Sequence, residues 1–304
     1  MKKKVAILDA PSNLGLRPPH PGHLPGVWQL PTALRAKSLL EQLEAMEAGK
    51  VSPPEYSTEP DICTGFRNGL KITAYSKTLA DRVVSLLQDD HFPLVLGGDC
   101  SILLGNMLAL RSLGEYGLCF IDGHDDFAYP KSSRNFGLYT AAGLDLGLVT
   151  GHGPDELVNI DGLRPYMNPS NVVALGFYND PADSADYHTE AIYQTNIKTM
   201  DIETIHSIGA QQAALLALNH MEKVNIKGFW IHLDADVLDQ SIMPAVDSPN
   251  PNGLTYAELV EILRVLLQSD DAAGMDITIF DPELDPDGRH AAEFTSAIVQ
   301  SFRP

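Results

Sequence analysis

The stretch IHLDADVLDQ, from Ile231 to Gln240, joins an apolar segment to three carboxylates. Together with the preceding residues GFW it predicts a buried β-strand, because aromatic and β-branched side chains favour strands. Residues two apart on a strand face the same side, so Asp234 and Asp236 should leave its carboxyl end together. Two like charges that close are costly unless a cation lies between them. A divalent metal fits that position, since hard cations bind carboxylate oxygens.

Two further stretches carry metal-binding side chains at the ends of predicted strands. In GLCFIDGHDDF, residues 117–127, an apolar strand leads into Asp122, His124 and Asp126 on one period-two face. In PLVLGGDCSILLG, residues 93–105, a strand leads into Cys100 and then a helix. A single acidic strand end would be typical of a solvated loop or a helix N-cap. Three such ends in one sheet indicate a shared metal site instead.

The composition predicts a globular protein with a substantial core. With 304 residues, of which 44% are hydrophobic, we expect one large α/β domain over residues 1–304. The chain has 21 basic and 40 acidic residues, which give a net charge of -19. This excess of acid disfavours nucleic acid and anionic membrane surfaces as partners, because both attract basic patches.

The cysteines and the N-terminus predict the compartment. Three cysteines are too few and too scattered for a disulfide framework, which indicates a reducing environment. The N-terminal sequence MKKKVAILDAP has an apolar run too short for a signal peptide. No run approaches the roughly 20 apolar residues of a membrane span. We therefore expect a soluble cytoplasmic protein that does not bind membranes.

Predicted strands and helices alternate along the whole chain. We expect a mostly parallel sheet of about eight strands with helices on both faces, a three-layer α/β/α fold. The pattern predicts one helix from residue 32 to Gly49 and another from Asp201, its N-cap, to residue 223. Thr255 and Glu258 have the spacing of a capping box. In such sheets ligands bind beyond the carboxyl ends of the strands, where the acidic motifs lie.

Several of these motifs resemble the signature blocks of the ureohydrolase family, which comprises arginases, agmatinases and formiminoglutamases. The matching blocks are GGDCS (97–101), DGHDD (122–126), HLDADVLD (232–239) and MPAVDSPNPNGLTYAE (243–258). PGVWQLPTALR (25–35) and DITIFDP (276–282) are also similar to family blocks, so the likeness spans nearly the whole chain. It implies an arginase/deacetylase-like fold and a homo-oligomer, either a trimer or a hexamer.

The resemblance also implies the chemistry. It predicts two divalent ions, usually Mn²⁺, that activate a bridging hydroxide to attack a small guanidino or amidine substrate and release urea or its analogue. Asp126 would also orient the hydroxide, and His124 is expected to be catalytic as well as a ligand. One ion would be held by Cys100, Asp122, Asp126 and Asp234, and the other by Asp122, His124, Asp234 and Asp236.

Three positions depart from the family pattern. Cys100 stands where the family usually has His, and its soft sulfur should shift metal preference toward Zn²⁺ or Fe²⁺. Alternatively, Cys100 is a small buried residue and the first site is weak or empty. Ala142 replaces a His thought to shuttle protons. Ile279 replaces a Glu that clamps the guanidinium, for which Asp281 or Glu283 is a candidate substitute.

The sequence also indicates roles for other polar residues near the motifs. His232 should lie on the same strand face as Asp234, where it would contact a metal ligand or substrate, or serve as a hydrogen-bonded structural residue. Asp99 and Asp239 are expected to brace the ligand loops through hydrogen bonds to the backbone. The remaining histidines near the motifs are taken as surface or loop residues: His152, His188 and His290.

The preferred interpretation is a metal-dependent hydrolase of carbon–nitrogen bonds, other than peptide bonds, in linear amidines such as a modified guanidine. One alternative is a metal-binding scaffold that lost catalysis with the changes at Ala142 and Ile279. Another is a deacetylase-like hydrolase that uses a single zinc ion. The substrate would be selected by three loops, residues 10–26, 127–140 and 178–190.

Overall fold

The computed structural model describes residues 3–59, 61–128, 139–178 and 188–303. Two of the three loops expected to select the substrate therefore lie largely outside the described residues. The predicted loop FAYPKSSRNFGLY falls mostly within residues 129–138, and the loop after the fifth strand falls mostly within residues 179–187.

A single sheet of eight strands forms the centre of the molecule, in the order β2-β1-β3-β8-β7-β4-β5-β6. Every strand pair is parallel, which confirms the predicted three-layer α/β fold. The strands are β1 (Val5–Asp9), β2 (Met46–Lys50), β3 (Phe92–Leu96), β4 (Gly117–Ile121), β5 (Val172–Leu175), β6 (Lys198–Met200), β7 (Phe229–Asp234) and β8 (Ala272–Thr278).

Helices cover both faces of the sheet. The α-helices of the described residues are α1 (Leu30–Arg35), α2 (Leu39–Leu43), α3 (Gly69–Gln88), α4 (Ile102–Leu113), α5 (Asp145–Val149), α6 (Asp155–Val158), α7 (Ile202–Ile208), α8 (Ala210–Met221), α9 (Tyr256–Gln268) and α10 (Arg289–Ser301). None of them is both long enough and apolar enough to cross a membrane.

The alternation of strand side chains separates two hydrophobic clusters. Ile231 and Leu233 of β7 belong to the cluster formed with α1, α2 and α7 to α10. Trp230 of β7 and Phe120 of β4 face the opposite cluster, formed with α3 to α6. His232 and Asp234 share the side of Trp230 because strand residues two apart face the same way. The buried polar residues of β7 therefore point toward α4 and α5.

The edge strand β2 corrects one prediction. The sequence predicted a helix up to Gly49, but Met46–Lys50 pairs with β1, with Ala6 opposite Met46. The two short helices before it are separated and ended by Ser38 (φ 60°) and Glu44 (φ 51°), both in the left-handed region. Tertiary pairing with β1 outweighs the helix propensity of Met, Glu and Ala here, because propensity differences are only a few tenths of a kcal/mol per residue.

One more helix differs from its predicted form. The predicted helix after Asp201 is two helices, α7 and α8, interrupted at Gly209, whose φ is 89°. Asp201 does cap the first of them, since its side chain accepts a hydrogen bond from the Thr204 backbone N–H. The capping box of Thr255 and Glu258 is confirmed at the start of α9.

Candidate metal centre

The carboxyl end of β7 places its two carboxylates in a fixed arrangement. Asp234 Oδ1 accepts a hydrogen bond of 2.7 Å from the Asp236 backbone N–H. Asp236 Oδ1 accepts one of 3.0 Å from the Gly123 backbone N–H in the segment after β4. Both carboxylates are buried, with 2% and 3% of their surface exposed. The backbone thus connects the two acidic motifs while one oxygen of each carboxylate is left for another partner.

The segment after β4 meets this pair from the neighbouring strand. Asp122 Oδ1 accepts a 2.7 Å hydrogen bond from the His124 backbone N–H. His124 Nδ1 lies 3.0 Å from Asp236 Oδ2. Burial and the nearby Asp236 raise the pKa of Asp122 to about 6. Burial lowers the pKa of His124, but Asp236 and Asp122 outweigh it and raise that pKa to about 10.

Cys100 approaches from the loop between β3 and α4. Its Sγ lies 2.8 Å from Asp234 Oδ2 and 3.0 Å from Thr278 Oγ1. Burial, and then Asp234, raise the pKa of the thiol well above its usual value. Asp99 accepts hydrogen bonds from the Ser12 hydroxyl and the Ser101 backbone N–H, as expected of a residue that braces this loop.

The ligand atoms form two groups whose spacing suits metal ions. Within each group they all lie within 4.8 Å of one another, and Asp122 belongs to both. Ligands about 2.0 to 2.3 Å from a common ion can lie no more than roughly 4.6 Å apart, so small inward shifts suffice. Asp122 Oδ2 has no hydrogen-bond partner among the described residues. The residues fit two ions, with these groups: Cys100, Asp122, His232 and Asp234; Asp122, His124 and Asp236.

These groups differ from the predicted ligand sets in three residues. Asp126 lies outside both groups, although it lines the cavity above them. Asp234 lies in the first group alone, whereas it was predicted to bridge. His232 joins the first group, although it was not among the predicted ligands. Burial, followed by Asp122 and Asp145, raises the pKa of Asp126 well above its usual value, which reflects the surrounding negative charge.

A cavity of about 940 Å³ opens above the ligand groups. Cys100, His124, Asp234 and Asp236 line its base, together with Asp126. It is large enough for a small organic substrate. Other described residues around it come from the loop after β1, the segment after β7 and the segment after β8, including Arg17, His20, His23, Asp247, Ile279, Asp281 and Glu283.

Comparison with known proteins places this arrangement in a family. The model of the arginase family matches residues 3–303. The chain belongs to the arginase family. The arginase of Staphylococcus aureus (strain MRSA252) is 28% identical over 309 residues, which cover 99% of this chain and 97% of that relative. The predicted likeness to ureohydrolases is therefore confirmed, and the chain is an arginase-family hydrolase.

Solved arginase structures share the fold over its full length. The structure of arginase from Bacillus caldovelox matches with a TM-score of 0.86 at 24% identity and covers 100% of this chain and 99% of that chain. Arginase from Bacillus cereus matches with a TM-score of 0.84 at 23% identity and the same coverage. At this level of identity the structures establish the common architecture.

The positions predicted to depart from the family pattern line the cavity. Ala142 and Ile279 both line it, and Ile279 has φ 71°, a rare conformation for a β-branched residue. The two candidate substitutes for the missing Glu are already engaged. Asp281 Oδ2 accepts a hydrogen bond from the Gly26 backbone N–H. Glu283 contacts His23 Nε2 at 2.6 Å and accepts a hydrogen bond from the side chain of Gln29.

Three carboxylates near the centre were missed by the sequence analysis. Asp145 at the start of α5 is fully buried, and neither of its oxygens has a hydrogen-bond partner among the described residues. Asp276, in the middle of β8, is also fully buried. Asp247 faces the cavity, where desolvation and Asp236 raise its pKa to about 6. A single acid inside an apolar strand such as AAGMDIT was the available signal for Asp276.

Of the other singled-out residues, Asp239, His152 and His188 lie in loops as predicted, whereas His290 lies half-buried in the first turn of α10. Asp239 Oδ1 accepts a hydrogen bond from the Ser241 backbone N–H and braces its own loop. His290 Nδ1 lies 3.0 Å from the Ile242 carbonyl, and His188 Nδ1 lies 3.1 Å from Glu190. His152 Nδ1 lies 3.3 Å from the Thr150 hydroxyl. None of these three histidines is in either ligand group.

Proposed function

We propose that the protein hydrolyses a carbon–nitrogen bond, other than a peptide bond, in a small linear amidine, and that it does so with two divalent metal ions. The supporting observation is the pair of ligand groups that share Asp122 at the base of one cavity. A buried cluster of carboxylates without cations would carry a large electrostatic cost, so two ions account for its presence. Mn²⁺ suits the oxygen-rich group, and Zn²⁺ or Fe²⁺ suits the group that contains Cys100.

The residues of the centre would divide into metal ligands and one further carboxylate, Asp126, that orients the nucleophile. Two ions bound here would lower the pKa of a water molecule between them and supply the nucleophile at neutral pH. The hydrogen bonds to Gly123, His124 and Asp236 fix the ligand carboxylates before substrate arrives. Asp126 lines the cavity beside these ligands, where its carboxylate would orient the attacking water molecule.

The cavity wall indicates how the substrate differs from an ordinary guanidine. Ile279 cannot pair with a cation, and Asp281 and Glu283 are occupied by neighbouring groups. Asp247 is a carboxylate on the cavity wall close enough to Asp236 for its pKa to respond to that charge. We infer that the cationic end of the substrate contacts Asp247, while Ile279 packs against an apolar part. The homo-oligomer and the cytoplasmic location stay predictions.

The test is turnover across metals and substrates. Metal-free protein would be reloaded with Mn²⁺, Zn²⁺, Fe²⁺ or Ni²⁺ and supplied with guanidino, formimino and acylated amines, and urea, ammonia, formamide and acetate would be measured. We expect release of urea, ammonia or formamide with at least one metal, and loss of at least about 100-fold in Asp122→Ala. The matched control Asp161→Ala changes an exposed acid and should keep full activity.

Two results would overturn the proposal. Release of acetate alone would show a deacetylase-like enzyme, and one bound zinc ion per chain would agree with that outcome. No turnover of any substrate by protein that carries two ions per chain would show a metal-binding scaffold.

A further inference from the structure

His232 is a histidine of the sheet interior with one ring nitrogen unused. It lies on β7 two residues before Asp234 and is 0% exposed. Its Nε2 has no hydrogen-bond partner among the described residues. That nitrogen lies 3.8 Å from Asp122 Oδ2 and 3.8 Å from Asp145 Oδ2, both too far for a hydrogen bond. A buried polar atom without a partner costs free energy unless another group binds it.

The other ring nitrogen is held firmly. His232 Nδ1 lies 2.6 Å from Asp276 Oδ2, and a carboxylate can only accept, so Nδ1 carries the proton. Asp276 is itself fixed, since its other oxygen accepts hydrogen bonds from the Trp230 indole and from the Asn106 amide at 3.1 Å. The imidazole ring also stacks on Phe120, with centroids 4.8 Å apart. These contacts orient the ring and leave Nε2 directed away from Asp276.

We propose that His232 Nε2 is a ligand of the metal ion that Cys100, Asp122 and Asp234 hold. The ligand atoms of these four residues lie within 4.8 Å of one another. A histidine that donates its second N–H to a carboxylate is the usual form of a metal-bound imidazole, because the carboxylate fixes the tautomer and increases the basicity of the free nitrogen. Asp276 is then the positioning residue of this ligand. The inference rests on the binuclear centre of the proposed function.

The proposed ligand set has consequences for the metal. A thiolate, an imidazole and carboxylates together favour Zn²⁺, Fe²⁺ or Co²⁺ over Mn²⁺. The group of His124, Asp122 and Asp236 lacks sulfur and suits a harder ion. The two metal positions should therefore prefer different ions, and the softer ion should bind beside Cys100 and His232.

A different role for His232 would have the opposite effect on metal binding. A charged imidazolium could pair with Asp122, Asp145 and Asp276, which surround it at 2.6 to 3.8 Å. Such a buried cation would repel an incoming ion, and removing it would strengthen binding. The sign of the change in metal affinity therefore distinguishes a ligand from an ion-pair partner.

The experiment compares His232→Asn with the wild type. The Asn amide can replace Nδ1 as the donor to Asp276, but it has no atom at the place of Nε2. Metal-free proteins would be titrated with Co²⁺, because thiolate bound to Co²⁺ gives a near-ultraviolet charge-transfer band that reports the ion at Cys100. We expect two ions and the band in the wild type, and one ion without the band in His232→Asn. Affinity for the band-forming ion should fall by more than about 100-fold.

Two matched variants separate the sites. His124→Ala should lose the other ion and keep the thiolate band. Asp276→Asn should weaken the band-forming ion by about 10- to 100-fold, the range known for residues that orient a ligand. His206→Asn, which changes an exposed histidine of α7 that belongs to neither ligand group, should leave both ions in place.

Some results would overturn the inference. Two ions and an unchanged band in folded His232→Asn, or tighter binding, would remove His232 from the ligand set. If circular dichroism shows that the variant is unfolded, ¹¹³Cd–¹⁵N coupling in wild-type protein decides: coupling to His232 Nε2 supports the assignment, and coupling to His124 alone contradicts it. If the wild type binds no ion, the proposed function is contradicted as well. If only the assignment of His232 is contradicted, the proposed function is unaffected.

Discussion

At the scale of single residues, His124 illustrates how the cluster depends on protonation. Its backbone N–H donates to Asp122, and its ring Nδ1 lies 3.0 Å from Asp236 Oδ2. In the metal-free protein burial lowers its pKa, but Asp236 and Asp122 raise it to about 10. The imidazole is therefore a cation at pH 7, and it must lose its proton before Nδ1 can bind a metal ion.

Metal binding should consequently release a proton from His124. Because its pKa lies above neutral pH, the proton is present at pH 7, and raising the pH removes it and increases metal affinity. We expect at least one proton released per chain on Zn²⁺ binding at pH 7, measured by calorimetric titration in two buffers of different ionisation enthalpy. The His124→Asn variant should release about one proton fewer. Equal proton release by both proteins would contradict this role of His124.

The sequence predicted the convergence of several site residues for a simple reason. Asp122, Asp234 and Asp236 come together with Cys100 and His124, although Asp236 lies in the 3-10 turn Ala235–Val237 beyond β7 and is positioned by that turn. Period-two alternation accounts for the residues of the strands themselves. The same rule correctly placed His232 beside Asp234. Asp145 and Asp276 were missed because each is an isolated acid in an apolar element, and its neighbours in space come from distant parts of the chain.

At the scale of elements, helix caps can be predicted from neighbouring residues, whereas strand pairing depends on residues far apart in the sequence. Helix caps are local, so Thr255 and Asp201 were found from sequence and both accept the expected hydrogen bonds. The sequence predicts helix at Met46–Lys50, because the strand pairing depends on residues of β1 that lie 40 positions earlier, with Ala6 opposite Met46. Gly209 lies between two apolar stretches that both have helical periodicity. The sequence therefore predicted one continuous helix in place of α7 and α8.

The capping box of α9 can be tested by one substitution. Thr255 Oγ1 accepts a hydrogen bond from the Glu258 backbone N–H, and Glu258 in turn accepts from the Thr255 backbone N–H. Thr255→Ala should lower the free energy of unfolding by about 1 kcal/mol, because the Glu258 backbone N–H loses its side-chain acceptor. Urea denaturation of the metal-free protein measures this. The control Thr78→Ala, in the middle of α3, should be neutral or slightly stabilising.

At the scale of the whole molecule, the fold concentrates negative charge at one end of its sheet. The net charge is -19, and several acids are buried beside one another at the carboxyl ends of β4 and β7. Burial and Asp236 raise the pKa of Asp122 to about 6. A carboxyl group whose pKa is raised by folding contributes stability at low pH that is lost as pH rises through the folded pKa. The metal-free protein should therefore be less stable at pH 8 than at pH 5.

Asp122→Asn should be more stable than wild type without metal and less stable than wild type with metal. Asn keeps the acceptor for the His124 N–H but has no charge, so the metal-free variant should be more stable than wild type at pH 8, by on the order of 2 kcal/mol. With Zn²⁺ at about 100 times the dissociation constant, wild type gains about 2.7 kcal/mol for each ion, and the variant gains far less because both groups share Asp122. Thermal unfolding of both proteins at pH 5 and pH 8, with and without Zn²⁺, measures these differences in stability. The exposed Asp161→Asn serves as control, and a variant that is less stable than wild type without metal would show that the carboxylate stabilises the fold by itself.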